Sequence, residues 1–414
     1  MSRPFFARRA LLAIAALIAT CVLGAQPKPP AGYVALFNGK DIRNFDVRSG
    51  HAKYRVENFE LIGSTVEGSP NTFLTPKKEY GDFVLEYEVK VDPRLNSGVQ
   101  VRSHEYTGET EATIFNGKEF VNRKFPKGRF YGYQVEISNT KAGNSGGIYD
   151  EARRGWLYEP TSANNPECAK AFRDNEWNHY KVIAEGARIQ TFVNGAKCTD
   201  LIDSMDLTGY IGFQVHQFKG DSPAEVRWRN IYLKDNGKHV WKRIFDGKTT
   251  KGWIHRGGSK FTVADGVIHG KTDPADPTAG VLIYDRPYKD VVSRLQFKID
   301  SGNSGYFFRA KKENLWGYEA EIDATKGTGG LYEVGGRKWV TAPEDNALVK
   351  KDDWSELAVA AIGDRVVIHL NGRKTVDLPN DPGVSAEGYL ALQAHGRMET
   401  SVWFRNIEVA EKAK

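Results

Sequence analysis

The chain has 414 residues, with 58 Lys and Arg against 52 Asp and Glu, a formal net charge of +6. Such a balance gives no electrostatic case for nucleic acid. Three cysteines and nine histidines occur without zinc-ligand spacing, so no metal site and no cofactor is expected.

The N-terminus reads MSRPFFARRALLAIAALIATCVLGAQPKPP: Arg3, Arg8 and Arg9 with no acid, an apolar run from Ala10 to Gly24, then a proline-rich spacer. This is the pattern of a secretory signal peptide over 1–25, with cleavage near Gly24 or Ala25. The run is shorter than the roughly 20 apolar residues of a membrane span. A lipoprotein box around Cys21 and twin-arginine export through Arg8 and Arg9 are weaker readings of the same segment. The expectation is a periplasmic or secreted protein without a stable membrane span. Cleavage removes three arginines and leaves Cys168 and Cys198, which export would allow to oxidise; their spacing alone does not decide whether they meet.

Beyond the spacer the chain says nearly the same thing twice. FNGKD, NSGVQVR, GYQVEI, GGIYD, NEWN, VNG, GYIGFQVH and WRNI are followed, in order, by FDGKT, NSGYFFR, GYEAEI, GGLYE, DDWS, LNG, GYLALQAH and FRNI. The offset shrinks from 207 residues (Gly98 to Gly305) to 177 (Gly195 to Gly372), so the first copy carries 30 additional residues. A unit this long is a domain rather than a solenoid repeat. The expected domains are 31–235 and 240–411, separated by a polar stretch, 234–238, too short to be a long tether.

Within the first copy, DFVLEYEVKVD, SGVQVRS, YGYQVEIS, HYKVIAEGARIQTFVNG, TGYIGFQVHQF and AEVRWRNIYLK alternate apolar and polar residues with period two, the mark of strands with one buried face. Asn194-Gly195 and Asn371-Gly372 lie between such runs as hairpin turns. Each copy is therefore expected to be an all-β sandwich or jelly roll of about a dozen short strands. Phe245 and the pairs Trp228/Phe404, Ile231/Ile407 and Trp177/Trp354 are assigned to the core, and the NSG, GG and NG glycines to turns.

Residues i and i+2 of a strand share a face. This groups Gln100 with Arg102, Gln134 with Glu136, and Gln214 with His216. In the second copy it groups Phe307 with Arg309, Glu319 with Glu321 and Asp323, and Gln393 with His395. One face of the sheet is then apolar and the other carries Arg, Glu, Gln and His. The structural alternative is cross-strand ion pairs worth a few tenths of a kcal/mol to about 1. Recurrence of the set in both copies favours a site, although duplicated scaffold residues recur too. Trp156, Tyr158, Trp253, Trp316 and Trp339 are read as loop aromatics suited to sugar rings.

These blocks resemble the 3-keto-disaccharide hydrolase (3-keto-glucoside 1,2-lyase/3-keto-2-hydroxy-glucal hydratase) domain family, across essentially everything after residue 31. The resemblance implies two tandem concanavalin-like jelly rolls acting on an oligosaccharide or glycoside oxidised at the 3-position. A ketone acidifies the neighbouring C–H, so a base can remove that proton and the aglycone can leave by elimination; hydration of the enol ether completes a net hydrolysis. Such chemistry needs a base, an enolate stabiliser and a proton donor. On the resemblance, His216, His395, Glu136, Glu319 and Glu321 are the candidate acids and bases, and Arg102 and Arg309 the charge stabilisers. Gln134, Tyr149, Trp156, Gln214, Asp323, Tyr332 and Gln393 are the candidate substrate contacts. The second copy, richer in carboxylates, is favoured for acid–base work. Two other functions fit the same residues: a non-catalytic carbohydrate-binding protein, and a retaining glycosidase using the alternating carboxylates 319, 321 and 323.

Overall fold

Alternation dictates the layers. Phe83–Val91 buries Phe83, Leu85, Tyr87, Val89 and Val91 and leaves the residues between them half-exposed, so it can only be one wall of a sandwich. The computed structural model describes residues 27–115, 119–221, 223–343, 345–381, 383 and 386–413; the signal-peptide segment lies outside them. Each copy pairs an eight-stranded antiparallel sheet with a seven-stranded one, in the same strand order in both copies.

In the first copy the smaller sheet runs Gly155–Tyr158, Ile148–Glu151, Phe130–Ile137, Ser97–Glu105, Tyr210–Val215, Thr72–Pro76, Phe45–Arg48. In the second it runs Lys338–Thr341, Leu331–Val334, Gly317–Asp323, Asn303–Ala310, Tyr389–Ala394, Gly280–Tyr284, Trp253–Gly257. The two cores are separate clusters, the first around Tyr87, Tyr180, Phe213 and Trp228, the second around Phe297, Tyr306, Tyr318 and Phe404. Phe245, Ile231 and Ile407 lie in these cores as expected. Trp177 and Trp354 do not: they are half-exposed on the outer face of the larger sheets, under the guanidinium groups of Arg229 and Arg405 at 4.1 and 4.0 Å. Each lies just before a strand whose next residue, Asn178 or Ser355, is buried, and alternation turns the indole outward.

The two Asn-Gly pairs make two-residue hairpin loops with positive φ at both positions, 46° and 88° at Asn194 and Gly195, 49° and 75° at Asn371 and Gly372. The additional residues of the first copy include the hairpin Thr110–Phe115/Phe120–Phe125 and the short helix Pro166–Ala169. That helix brings Cys168 to Cys198, and the two form a disulfide.

The stretch between the copies is held against the first. The Asp82 amide donates to Gly237 O at 2.8 Å, and His239 Nδ1 meets Asp82 Oδ2 at 2.7 Å. The copies touch through outward residues of the larger sheets, with Ala187 and Ile202 of the first packed on Val292, Ala360 and Val367 of the second. Arg365 Nη1 donates to Asp200 O at 2.9 Å across this contact. Arg154, in the turn between Ile148–Glu151 and Gly155–Tyr158 of the first copy's smaller sheet, also reaches across, its Nη1 donating to Gly372 O at 3.0 Å.

The disulfide closes a loop of 30 residues, for which chain entropy predicts about 3.6 kcal/mol. Cys198→Ser should lower the unfolding free energy by about 3 kcal/mol in urea titrations, and reductant should move wild type, but not the variant, by a similar amount.

Candidate functional site on the concave sheets

The inner face of each smaller sheet belongs to the core: Val99, Val101, Tyr133, Val135, Phe213 and Val215 in the first copy, Tyr306, Phe308, Tyr318, Ala320, Ile322 and Leu392 in the second. Alternation therefore sends Gln100, Gln134, Glu136 and Gln214, or Phe307, Glu319, Glu321 and Gln393, to the outside. That outside is strongly concave. Asn71 Nδ2 reaches Glu151 Oε1 at 3.1 Å across three intervening strands, whereas a flat sheet would separate their backbones by about 19 Å.

In the first copy, Gln214 Nε2 donates to Gln134 Oε1 (2.8 Å), Gln134 Nε2 to Glu136 Oε2 (3.1 Å), and Asn96 Nδ2 to the other Glu136 oxygen (2.5 Å). Burial pushes Glu136 up to about 7 despite the opposing hydrogen bonds from Asn96 and Gln134. Gln100 is fully buried, and neither of its amide atoms has a protein partner. Glu151, held by Arg129 as well as Asn71, roofs this amide-lined face.

The second copy keeps Gln214, Glu136 and Asn96 as Gln393, Glu321 and Asn303 but replaces their neighbours. Phe307 stands for Gln100, Val281 for Phe73, Ile283 for Thr75 and Val334 for Glu151, so the centre of the face is an apolar cluster. It lines an open cavity of about 350 Å³ together with Gln393, Leu315 and Arg256. Glu319 is in register beside Phe307, and Glu321 beside Gly305. Burial, and then the charge of Glu321, hold Glu319 well above the ordinary carboxyl range, and its Oε1 has no protein partner. Burial raises Glu321 to about 7, with Asn303 pulling it down and Asp323 pushing it up. Neighbouring carboxyls in this environment hold at least one proton at neutral pH.

The NSG triplets are not turns but the builders of this face. Asn96 and Asn303 donate to Glu136 and Glu321. Ser97 and Ser304 tie the adjoining strand through Gln214 O and Gln393 O, at 2.7 and 2.6 Å. Gly305 makes room: a Cβ there would stand 1.9 Å from Glu319 Oε1, and one at Gly98 2.6 Å from the Gln134 side chain. Recurrence of Asn-Ser-Gly at the head of a strand, where no turn is needed, was the available signal.

The arginines are elsewhere. Arg102 and Arg309 both have φ of 49°, and the strand registers shift around them. The bulge inserts one residue and reverses the alternation. Arg102 therefore points between the sheets, donating to Gly81 O (2.8 Å) and Gly186 O (2.6 Å) and pairing with Asp82 at 3.3 Å. Arg309 faces Asp290 at 3.4 Å in the same way, and Asp82 and Asp290 each accept from a turn glycine, Gly186 or Gly363. These arginines clasp one sheet to the other and do not meet the glutamates. The cation that does line the second cavity is Arg256, missed in the sequence; its Nη1 donates to Lys312 O at 2.5 Å.

His216 and His395 follow Gln214 and Gln393 just past the strand ends, half-exposed, with Nδ1 on the carbonyl of the next residue. The His395 amide donates to Asn303 O, and Asn303 is paired with Asp323, so these three lie side by side one row from Glu321. Among the described residues neither imidazole hydrogen-bonds a carboxylate. Asp323 shares Asn303 with Glu321 but also anchors the following turn by accepting from Thr325. Tyr149 with Trp156, and Tyr332 with Trp339, form edge-to-face pairs at the rim, ring centres 5.3 and 5.4 Å apart. Gln134 and Glu319 are in register with these tyrosines. Trp156 and Trp339 lie on strands rather than loops, Trp253 is buried with its indole donating to Ile244 O, and Trp316 is exposed. Among the described residues no group of three His, Cys, Asp or Glu side chains is arranged to hold a metal.

The sequence pattern of the 3-keto-alpha-glucoside-1,2-lyase-like domain matches residues 32–234 and again 240–410. The chain belongs to that family, in two tandem copies. Among solved structures, the chain is similar to a candidate glycosyl hydrolase from Parabacteroides distasonis (19% identity, 49% of this chain and 94% of that one, TM-score 0.32). It is also similar to a carbohydrate binding module from Bacillus subtilis (21% identity, 38% and 93%, TM-score 0.27). A kappa-carrageenase from Pseudoalteromonas carrageenovora is similar at 12% identity (42% and 96%, TM-score 0.31). No curated protein matches the chain. Family membership makes the protein carbohydrate-active, and no helix among the described residues is long and apolar enough to cross a membrane.

Two predictions follow from this geometry. Arg102→Met should cost about 3 kcal/mol or more in denaturant unfolding, because it leaves Asp82 buried without its guanidinium partner; weakened ligand binding at unchanged stability would return the arginine to the site. For the glutamates, folded values raised above the ordinary 4.5 mean that the native state keeps protons which the unfolded chain releases. Their stabilising contribution is complete below about pH 4.5 and is lost as pH rises through about 7, at up to about 1.4 kcal/mol per pH unit per group. Glu319→Gln should therefore melt with wild type at pH 5 and above it at pH 8.

Proposed function

We propose that the second copy cleaves 3-keto-glycosides by elimination and that the first copy binds carbohydrate. The observation that carries this reading is the Glu319–Glu321 pair: two buried carboxyls on one strand, Glu319 in register with Phe307 of the cavity lining and with an unpartnered oxygen, Glu321 raised by burial to about 7. A group poised near the working pH is an efficient base. Glu321 takes the proton from the carbon next to the ketone, and the electron pair of that C–H bond moves onto the carbonyl oxygen as an enolate. As the carbonyl re-forms, the glycosidic C–O bond breaks, and Glu319, held protonated, delivers its proton to the departing oxygen. Addition of water across the resulting C=C bond completes a net hydrolysis.

With Arg309 committed to the clasp, Arg256 and the Gln393 amide are the cavity groups suited to the enolate oxygen. The edge-to-face Tyr332–Trp339 pair offers a flat surface at the rim for the sugar. His395, one row away, serves substrate positioning. In the first copy the base and acid strand reads Gln134 and Glu136, so one of the two carboxyls is an amide, which favours binding there rather than turnover. The N-terminal segment supports action outside the cytoplasm.

The deciding measurement offers the protein an aryl glucoside with and without oxidation at the 3-position. Turnover is expected only for the keto sugar, with loss of deuterium placed on the adjacent carbon. Glu319→Gln and Glu321→Gln should each lower kcat by about 10²–10⁴, while Glu136→Gln acts on KM. Cleavage of the plain glucoside would establish a glycosidase instead, and unchanged kcat in both second-copy variants would end the proposal.

A further inference from the structure

The larger sheet of the second copy carries a second aromatic surface, on the face turned away from the core and from the Phe307 cavity. Strand register places Thr262, His269, Trp403 and Lys298 side by side on four neighbouring strands. The next strand begins at Ser355, opposite Phe297, so Trp354 stands opposite Lys298 and completes the row. These residues, with Asp265 and Asp300, line an open groove of about 540 Å³.

Within it the His269 and Trp403 rings are stacked, centres 4.4 Å apart and planes 5° from parallel. His269 Nε2 is fixed on Ser401 Oγ at 2.9 Å, which holds the imidazole upright against the indole. One face of Trp403 is thus covered and the other looks toward Lys298 and Trp354. Trp354 is two strand spacings from Trp403, about 9.6 Å; in the gap between them Lys298 Nζ lies over the Trp354 ring at 5.6 Å and Arg405 caps that ring at 4.0 Å, so the indole left for a sugar is that of Trp403. Lys298 lies at the base of that gap, its Nζ donating to Asp352 O at 3.1 Å, and Asp300 follows it on the same face as an exposed acceptor. A flat apolar plate bordered by an ammonium and carboxylates is complementary to a pyranose, with its apolar ring face and peripheral hydroxyls.

The first copy shows that the sandwich does not require this plate. At the same register Arg227 stands for Trp403 and Ile62 for His269. Arg227 is tied down by Glu60 at 3.2 Å and Glu225 at 2.8 Å. Trp177 and Trp354, capped by Arg229 and Arg405 alike, are shared scaffold; the His269–Trp403 plate belongs to the second copy alone.

We propose that the groove between Trp403 and Trp354 is a binding site for a neutral glucan chain, separate from the concave face. Its open ends suit an internal segment of a chain rather than a small sugar.

The test titrates the full-length protein with cellohexaose, laminarihexaose and maltohexaose, following tryptophan fluorescence and calorimetric heat. At least one of the three should bind. Trp403→Ala and Trp403→Arg, the latter reproducing the first copy, should weaken it about tenfold or more, and Trp403→Phe should retain most of the affinity. Circular dichroism and melting temperature of each variant establish that it is folded. Absence of binding by all three glucans, or binding that survives Trp403→Ala and is lost in Glu319→Gln, overturns the proposal. The two readings fail separately: protein that binds glucan yet leaves keto-glycosides intact sinks only the lyase, and an active lyase that binds none of the glucans sinks only this site.

Discussion

Burial of one face of each smaller sheet against its larger partner is the constraint from which the rest of the molecule follows. Once Val99, Tyr133 and Phe213, or Tyr306, Ala320 and Leu392, are committed to the core, the period of two leaves their neighbours no choice but the outer surface. Curvature then converts a polar face into a hollow, as the contact between Asn71 and Glu151 across three strands demonstrates. Local devices refine the hollow. Gly98 and Gly305 let a Gln or Glu lie flat on the sheet, and the asparagine two residues earlier holds the next glutamate.

On this shared frame the copies have diverged in the property that governs acid–base chemistry. The first spends its outer face on amides, Gln100, Gln134 and Gln214, which bind hydroxyls without changing charge. The second replaces the central amide and its neighbours with Phe307, Val281 and Ile283, and turns Gln134 into Glu319. Apolar surroundings and a second carboxyl act in the same direction on Glu319, since both disfavour the ionised form. Burial already raises Glu136 in the first copy; the charge of the neighbouring Glu321 is what Glu319 adds to it. The Trp403 plate shows the same divergence on the opposite sheet, where an ion-paired arginine has given way to an indole.

The arginine clasp explains why recurrence in both copies misleads at one position. Arg102 and Arg309 sit in the same motif as the site residues and at the right spacing to join them, yet each occupies a bulge that turns it into the sandwich, toward Asp82 or Asp290. A duplicated scaffold preserves what holds the sheets together as faithfully as what contacts a ligand. Only the backbone conformation separates the two.

By itself the sequence determined the duplication, the all-β sandwich, the Asn-Gly hairpins and the membership of one outer face, because all of these rest on order, composition and a period of two that survives in one dimension. Tertiary structure alone decided the rest. It brought Cys168 to Cys198, sent Arg102 and Arg309 away from the glutamates, lifted Trp177 and Trp354 out of the core, and made Asn96, Asn303, Gly98 and Gly305 parts of the site. It also set Arg256 over the cavity and His269 against Trp403. Each of these depends on which strands become neighbours and where a bulge reverses the alternation, and pairings between residues tens to hundreds of positions apart leave no local trace.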